Sequence, residues 1–404
     1  MIHSFSCKNF YSFKNLTKLN FVVNNQAPKK SGFFKDSSGT RLSSVETVIG
    51  ANASGKTNLL RLLPFMKWII VDSFNADPNS SILIQSFKFD SDSNKPSELS
   101  TEFEVGGVVY DYFFSLTQER IFEEKLSYRS KTKVKTTYKT AFYRKWDSKN
   151  NKYLLIDKTF KFPKGFENVI RKNSSLLASA IRLNHKPSQD IVNFWKQIET
   201  NVVEAGWIGD YMLANSNINF FETLKFFSEN DVLKKEAEKI LSTYDLGLDS
   251  LDIQKQKRDD GSISISAKVG HNFNGSKQYL DMRYESSGTK QLLVLLKTVL
   301  LVLNNGGIAV LDEIDVNLHS EIVLSLLKLF LQPETNTKKA QLIFSTHSHL
   351  VLSSLNKYQI VFIEKNNKGA SESWRLDDVS GVRSDENYYL KYITGAYGAF
   401  PHIS

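Results

Sequence analysis

Four short stretches of this 404-residue chain hold residue types at spacings that can do chemistry. Gly50-Ala51-Asn52-Ala53-Ser54-Gly55-Lys56-Thr57 has the spacing G-x-x-x-x-G-K-[ST] and lies between the apolar stretch "VETVIG" and a helical pattern. Such a loop holds phosphate. Its glycines let the backbone wrap phosphate oxygens, and amides of the loop and helix start donate to them. Lys56 neutralises β/γ-phosphate charge and Thr57 can ligate Mg²⁺. Gly50, Asn52, Ala53, Ser54, Gly55, Lys56, Thr57 and Asn58 are therefore the candidate nucleotide-binding positions.

The second stretch, Gly307 to Glu313, is an apolar strand that delivers two acids at its C-terminal end, where open α/β sheets bind ligands. Asp312 suits a Mg²⁺ shell, and Glu313 suits a base for an attacking water. Neighbours on a strand point to opposite faces, so the two acids can hold different roles only if the strand ends there. The third is Phe344-Ser345-Thr346-His347-Ser348 after "AQLIF". It sets His347 just past a strand, where an imidazole can sense a γ-phosphate or hold water. Fourth, Glu285 to Gln291 precedes a long apolar helix, and Ser286 and Gly288 at its start can receive phosphate or serve only as a helix cap.

The elements that must position these residues are readable from periodicity. Ile2 to Val23 alternates as two short strands with a turn at Lys14 and Asn15. A helical face of Leu59, Leu62, Leu63, Met66 and Ile70 follows the glycine loop. Ile82 to Phe162 is strand-rich and predicts an antiparallel sheet, Pro163 to about Asp245 predicts a compact helical insert, and strands return at Leu251 to Val269. Beyond that, helices alternate with "GIAVLDE", "AQLIFST" and "QIVFIEK", the pattern of a covered, mostly parallel sheet. The expected class is α/β, in three parts: 1–162, 163–245 and 246–404.

Hydrophobic content of 41% and charged content of 24% describe a folded chain rather than a disordered one. The run Leu292 to Leu303 is broken by Lys297 and is shorter than the roughly 18 to 20 residues of a membrane span, so it reads as a buried helix. No secretory signal is visible, and the lone Cys7 cannot form an internal disulfide, which fits a reducing cytoplasm. Of the net charge of +9, Lys125 to Lys161 contributes 12 Lys and Arg against Asp147 and Asp157. That segment, interleaved with Tyr128, Tyr138, Phe142, Tyr143 and Trp146, suits either nucleic-acid phosphates or a solvated hairpin face.

Taken together, the four stretches resemble the ABC ATPase superfamily. Gly50 to Thr57 looks like Walker A, Ser286 and Gly288 like the signature, Asp312 and Glu313 like Walker B, Asp315 like the D-loop and His347 like the switch histidine. The resemblance implies ATP and Mg²⁺ bound in a head-to-tail dimer, with Ser286 and Gly288 acting in trans. It also offers Gln85 in "ILIQSFKF" as a Q-loop metal ligand, although "SFKF" is an equal match and Gln85 then an ordinary strand residue. Glu285 and Thr289 replace the Leu and Gln of the usual Leu-Ser-Gly-Gly-Gln, which argues against fast, transporter-like turnover and leaves room for a scaffold that binds ATP.

Lys56 and Ser286 stand 230 positions apart, more than in transporter subunits of the superfamily. SMC and RecF proteins carry inserts there, but the long heptad arms of SMC are missing, so RecF-like and OLD-like relatives fit better. "KNFYSFKN", "GANASGKTNLL", "LDEIDVNLH", "STHSHLVL" and the ending "YGAFP" are most similar to AbiLi/RloA-like ATPases of phage defence. That resemblance implies a separate effector, a nuclease or other toxin, controlled by a homodimer or an assembly of dimers. No Toprim-like cluster follows the motifs, and Asp377, Asp378, Asp385 and Glu386 read as a solvated loop. The rival expectation is a repair clamp whose main act is ATP-gated DNA binding.

Overall fold

A computed structural model describes residues 1–29, 32–89, 95–130, 137–202, 216–244, 248–257, 259, 261 and 263–400. Its strands are β1 (Ile2–Lys8), β2 (Thr17–Asn20), β3 (Phe33–Lys35), β4 (Arg41–Ser43), β5 (Val45–Ile49), β6 (Ser97–Val105), β7 (Val108–Leu116), β8 (Ile121–Ser130) and β9 (Lys139–Asp147). They continue as β10 (Lys152–Asp157), β11 (Ile198–Thr200), β12 (Leu248–Lys257), β13 (Ile263–Phe273), β14 (Ser276–Asp281), β15 (Ile308–Leu311), β16 (Gln341–Ser345), β17 (Ile360–Lys365) and β18 (Ser371–Arg375). The α-helices among the described residues are α1 (Lys56–Leu60), α2 (Leu62–Val71), α3 (Leu176–Ala180), α4 (Lys186–Lys196), α5 (Ser216–Glu229), α6 (Asp231–Tyr244), α7 (Ser287–Asn305), α8 (Ser320–Leu331) and α9 (Tyr388–Ile393).

A mixed six-stranded sheet in the order β11-β15-β16-β5-β17-β18 divides the molecule, and every pairing in it is parallel except β17 with β18. β5, β15 and β16 are buried at every position, as strands covered on both faces must be. Alternation splits their side chains between two cores. Val48, Ile308, Val310 and Ile343 join one core with α1 to α4, while Ile49, Ala309, Leu311 and Leu342 join the other with α6, α7 and α8.

The first core is closed by a seven-stranded antiparallel sheet, β10-β9-β8-β7-β6-β1-β2. Between the two sheets, α1 and α2 bury not only the expected Leu59, Leu62, Leu63, Met66 and Ile70 but also Leu60, Phe65 and Ile69. One buried network ties this sheet to α3. Arg144 on β9 pairs with Glu124 on β8, and Glu124 also accepts from Tyr112 Oη at 2.5 Å and from the Leu176 amide at 2.8 Å. Arg144 therefore leaves the basic run read from sequence, and Arg129 is taken by Glu102 at 2.8 Å. Lys131, Lys133 and Lys135 lie outside the described residues.

The expected helical insert is not one body. β11 interrupts it, because Ile198, Glu199 and Thr200 pair in register with Ile308, Ala309 and Val310 and form an edge of the mixed sheet. Before it, α3 and α4 pack in the first core; after it, α5 and α6 pack in the second, against α7 and β12. Residues 203–215 lie outside the described residues. β12, β13 and β14 form a separate antiparallel sheet leading to α7. That helix is long and apolar enough to cross a membrane, yet Leu292, Leu293, Leu296, Val299, Leu300 and Val302 are buried in the second core. Asp377, expected in a solvated loop, instead pairs with Arg375.

Candidate nucleotide site

Three adjacent parallel strands end together at the site: β15 at Leu311, β16 at Ser345 and β5 at Ile49. The loop after β5 is shaped by its small residues. A Cβ on Gly50 would lie 2.1 Å from the Ile363 carbonyl oxygen. Gly55 has φ +116°, and a Cβ there would lie 2.3 Å from Ser371 Oγ, so neither position tolerates a side chain. Ala53 also adopts a left-handed φ of 60°.

Lys56 begins α1 and is only 6% exposed, with Nζ donating to the carbonyl oxygens of Gly50 at 3.0 Å and Ala51 at 3.1 Å. Burial lowers its pKa, and the charges of Asp312, Glu313 and Asp315 work in the opposite direction. Thr57 Oγ1 donates to Asp312 Oδ2 at 2.7 Å across 255 positions of sequence. This contact joins the first and second sequence motifs.

Asp312 is held from three sides. Asn201 Nδ2 donates to its carbonyl oxygen at 2.9 Å, its amide donates to Asn201 Oδ1 at 2.7 Å, and Ser345 Oγ donates to its carboxylate. Ser345 Oγ also accepts from the Glu313 amide at 2.8 Å. Because β15 stops at Leu311 and Glu313 turns to φ 48°, the two acids separate as the sequence reading required. Glu313 Oε1 lies 3.6 Å from His347 Nε2, both side chains being about half exposed. The His347 amide donates to both Asp315 carboxylate oxygens at 3.2 Å.

Asn52, Ala53, Gly55, Lys56, Thr57, Asn58, Glu313, His347 and Lys365 line a cleft of about 500 Å³, within the range of small-molecule sites. Lys365, Asn201 and Ser345 carried no role in the sequence reading. Nor did Ser12, whose Oγ accepts from Asn58 Nδ2 at 2.9 Å and from Ser371 Oγ at 2.8 Å, bringing the N-terminal turn to the loop. No local pattern marks these residues, since Asn201, Ser345 and Lys365 reach the site from three separate strand ends and Ser12 from a turn. Gln85 is exposed, outside any strand and absent from the cleft lining; its carbonyl accepts from the Tyr11 amide at 2.8 Å.

Ser286 and Gly288 also lie outside the cleft lining. Ser286 caps α7, its Oγ accepting from the Thr289 amide at 3.0 Å. A Cβ on Gly288 would lie 2.8 Å from the Asn317 carbonyl oxygen, so the start of α7 sits tightly against the turn after Asp315.

A phosphate loop at the C-terminal edge of a mostly parallel sheet, with two acids and a histidine on neighbouring strand ends, defines an ATPase of the phosphate-loop α/β class. Residues 47–353 match the family described as "AAA domain, putative AbiEii toxin, Type IV TA system", and the chain belongs to that family. No curated protein matches the chain. Among similar solved structures, the SMC head domain from Thermotoga maritima is 15% identical and has a TM-score of 0.40, over 93% of this chain and 98% of that one. An SmcHead bound to the C-winged helix domain of ScpA is 14% identical with a TM-score of 0.45, covering 94% and 99%. A third, the Smc head domain with an extended coiled coil bound to the C-terminal domain of ScpA derived from Pyrococcus furiosus, is 14% identical with a TM-score of 0.42, covering 93% and 97%.

Proposed function

We propose that the chain hydrolyses ATP in the cytoplasm as a Mg²⁺-dependent, head-to-tail homodimer and thereby controls a separate effector in bacterial defence against phage. The observation that carries the enzymatic part is the contact of Thr57 Oγ1 with Asp312 Oδ2 at 2.7 Å beside the buried Lys56. A hydroxyl and a carboxylate at hydrogen-bond distance are oxygen donors that suit Mg²⁺, so Thr57 and Asp312 would hold the ion. When bound, it neutralises charge on the β- and γ-phosphates.

The chain's own groups then divide the work. Lys56, now turned to Gly50 and Ala51 carbonyls, is a buried cation for the phosphates. Glu313 takes a proton from water, and His347, 3.6 Å from it, orients that water or senses the γ-phosphate. Ser286 and Gly288, outside their own chain's cleft, fit a role in completing the partner's pocket. The family's description names a toxin–antitoxin system, which supports the defence reading. The finer likeness to AbiLi/RloA-like ATPases rests on the motifs quoted above.

A second reading, ATP-gated DNA binding, draws on Lys139, Lys145, Lys149, Lys152, Lys158 and Lys161, all exposed on or beside β9 and β10. Complexes recovered with tagged Glu313→Gln protein under ATP separate the two. A stoichiometric second protein supports effector control; a bare dimer that retains only DNA overturns it in favour of the clamp.

A further inference from the structure

His3, Asp36 and Glu104 meet where β1, the β3–β4 turn and β6 converge, and none lines the nucleotide cleft. His3 is fully buried, while Asp36 and Glu104 are 6% and 7% exposed. His3 Nε2 lies 3.4 Å from Asp36 Oδ2 and 4.0 Å from Glu104 Oε2, and the three groups can bring one ligand atom each within 4.8 Å of one another. Ligand atoms bound about 2.0–2.2 Å from one tetrahedral ion stand about 3.3–3.6 Å apart, so the His3–Asp36 separation already fits and Glu104 Oε2 has only to close by about half an ångström.

Neither ring nitrogen of His3 makes a hydrogen bond of normal length and angle, although a buried imidazole normally makes at least one; its neighbours are the carboxylates of Asp36, Glu102 and Glu104 at ion-pair distance. Its Nε2 is aimed at the two carboxylates. Its Nδ1 faces Glu102 Oε1 at 3.7 Å, and Arg129 Nη2 donates to that same oxygen at 2.8 Å. Asp36 Oδ1 accepts from the amides of Ser38 and Thr40 at 2.8 Å, and the Ser37 amide donates to Glu104 Oε2 at 3.2 Å, so both carboxylates are fixed in orientation.

We propose that His3 Nε2, Asp36 Oδ2 and Glu104 Oε2 bind one divalent transition-metal ion of the zinc class, with Glu102 orienting the imidazole from behind. One nitrogen and two oxygens are a donor set that such ions accept, and a carboxylate behind the histidine is the usual second layer. The ion staples β1 to β6 and to the β3–β4 turn. Ile2, beside His3, exchanges hydrogen bonds with the Gln341 side chain on β16 at 2.7 and 2.9 Å, so the staple anchors the strand that carries Ser345.

The test uses the full chain, stripped with chelator and free of nucleotide, titrated calorimetrically with Zn²⁺ alone and read separately by the visible absorption of Co²⁺. Wild type should take up a single equivalent, and Asp312→Asn should do the same, which separates this site from the phosphate loop. Glu104→Gln and His3→Gln should lose the equivalent, and Glu102→Gln should weaken it about 10- to 100-fold. Unchanged stoichiometry and affinity in Glu104→Gln and His3→Gln would overturn the site. Should those variants fail to fold, wild type still decides: a Co²⁺ band displaced by Zn²⁺ supports the proposal, and its absence refutes it.

Discussion

At the scale of single residues, the site is a set of strand-end groups whose roles follow from their neighbours. Glu313 is exposed and free to reach water, whereas Asp312 is held by Asn201, Ser345 and Thr57. Glu313→Gln should therefore keep nucleotide binding and lower the rate of ATP hydrolysis about 100- to 10,000-fold, the usual worth of a general base. Wild-type turnover in a phosphate-release assay would sink the assignment. Glu46 makes a different prediction. It sits buried in β5 with neither carboxylate oxygen hydrogen-bonded, and burial raises its pKa well above 4.5, with Arg375 opposing and Asp377 adding to the rise. The folded protein thus keeps a proton that the unfolded chain releases. The stability this contributes is complete below about pH 4.5 and is lost as pH climbs toward the raised value. Glu46→Gln should melt progressively higher than wild type between pH 5 and pH 8, with the gap closing near pH 4; parallel melting curves would contradict this.

At the scale of elements, α7 has two duties that a single residue can separate. Its buried face of Leu293, Leu296 and Val299 fills the second core, and its exposed N-cap is Ser286. Leu296→Ala should cost about 2–5 kcal/mol by denaturant titration, as large-to-small changes in a packed core do. Ser286→Ala should cost only about 1 kcal/mol, the worth of a helix cap. Its larger effect should be on association: with ATP and Mg²⁺, a Glu313→Gln background should form dimers by light scattering, and adding Ser286→Ala should return monomers. Persistence of the dimer would remove Ser286 from the trans pocket.

At the scale of the molecule, the mixed sheet works as a partition and the antiparallel sheet as the wall of one core. The buried Arg144 to Glu124 pair joins β8 and β9 to the start of α3, and Arg144 Nη2 also donates to the Ser174 carbonyl oxygen at 2.9 Å. Removing one partner of a buried pair leaves an uncompensated charge, so Arg144→Met should destabilise the chain by about 3–5 kcal/mol. Arg144→Met combined with Glu124→Gln should recover much of that loss, measured as unfolding midpoints in urea.

The sequence alone determined the phosphate loop, the paired acids and the covered parallel strands, because each is written in local spacing: glycines at fixed offsets, or apolar runs ending in charge. It also placed the buried helix after Ser286, since hydrophobic periodicity is a local property. Only the tertiary structure decided that β11 divides the expected helical insert, because three residues carry too little pattern to announce an edge strand. Likewise it moved Arg144 out of the basic run and into the core, and it left Gln85 outside the cleft. Asn201, Ser345, Ser12 and Lys365 come from four separate stretches of chain, and His3 meets Asp36 and Glu104 from three strands or turns. Such meetings depend on strand order and register, which arise from long-range pairing and are encoded at no single stretch of sequence.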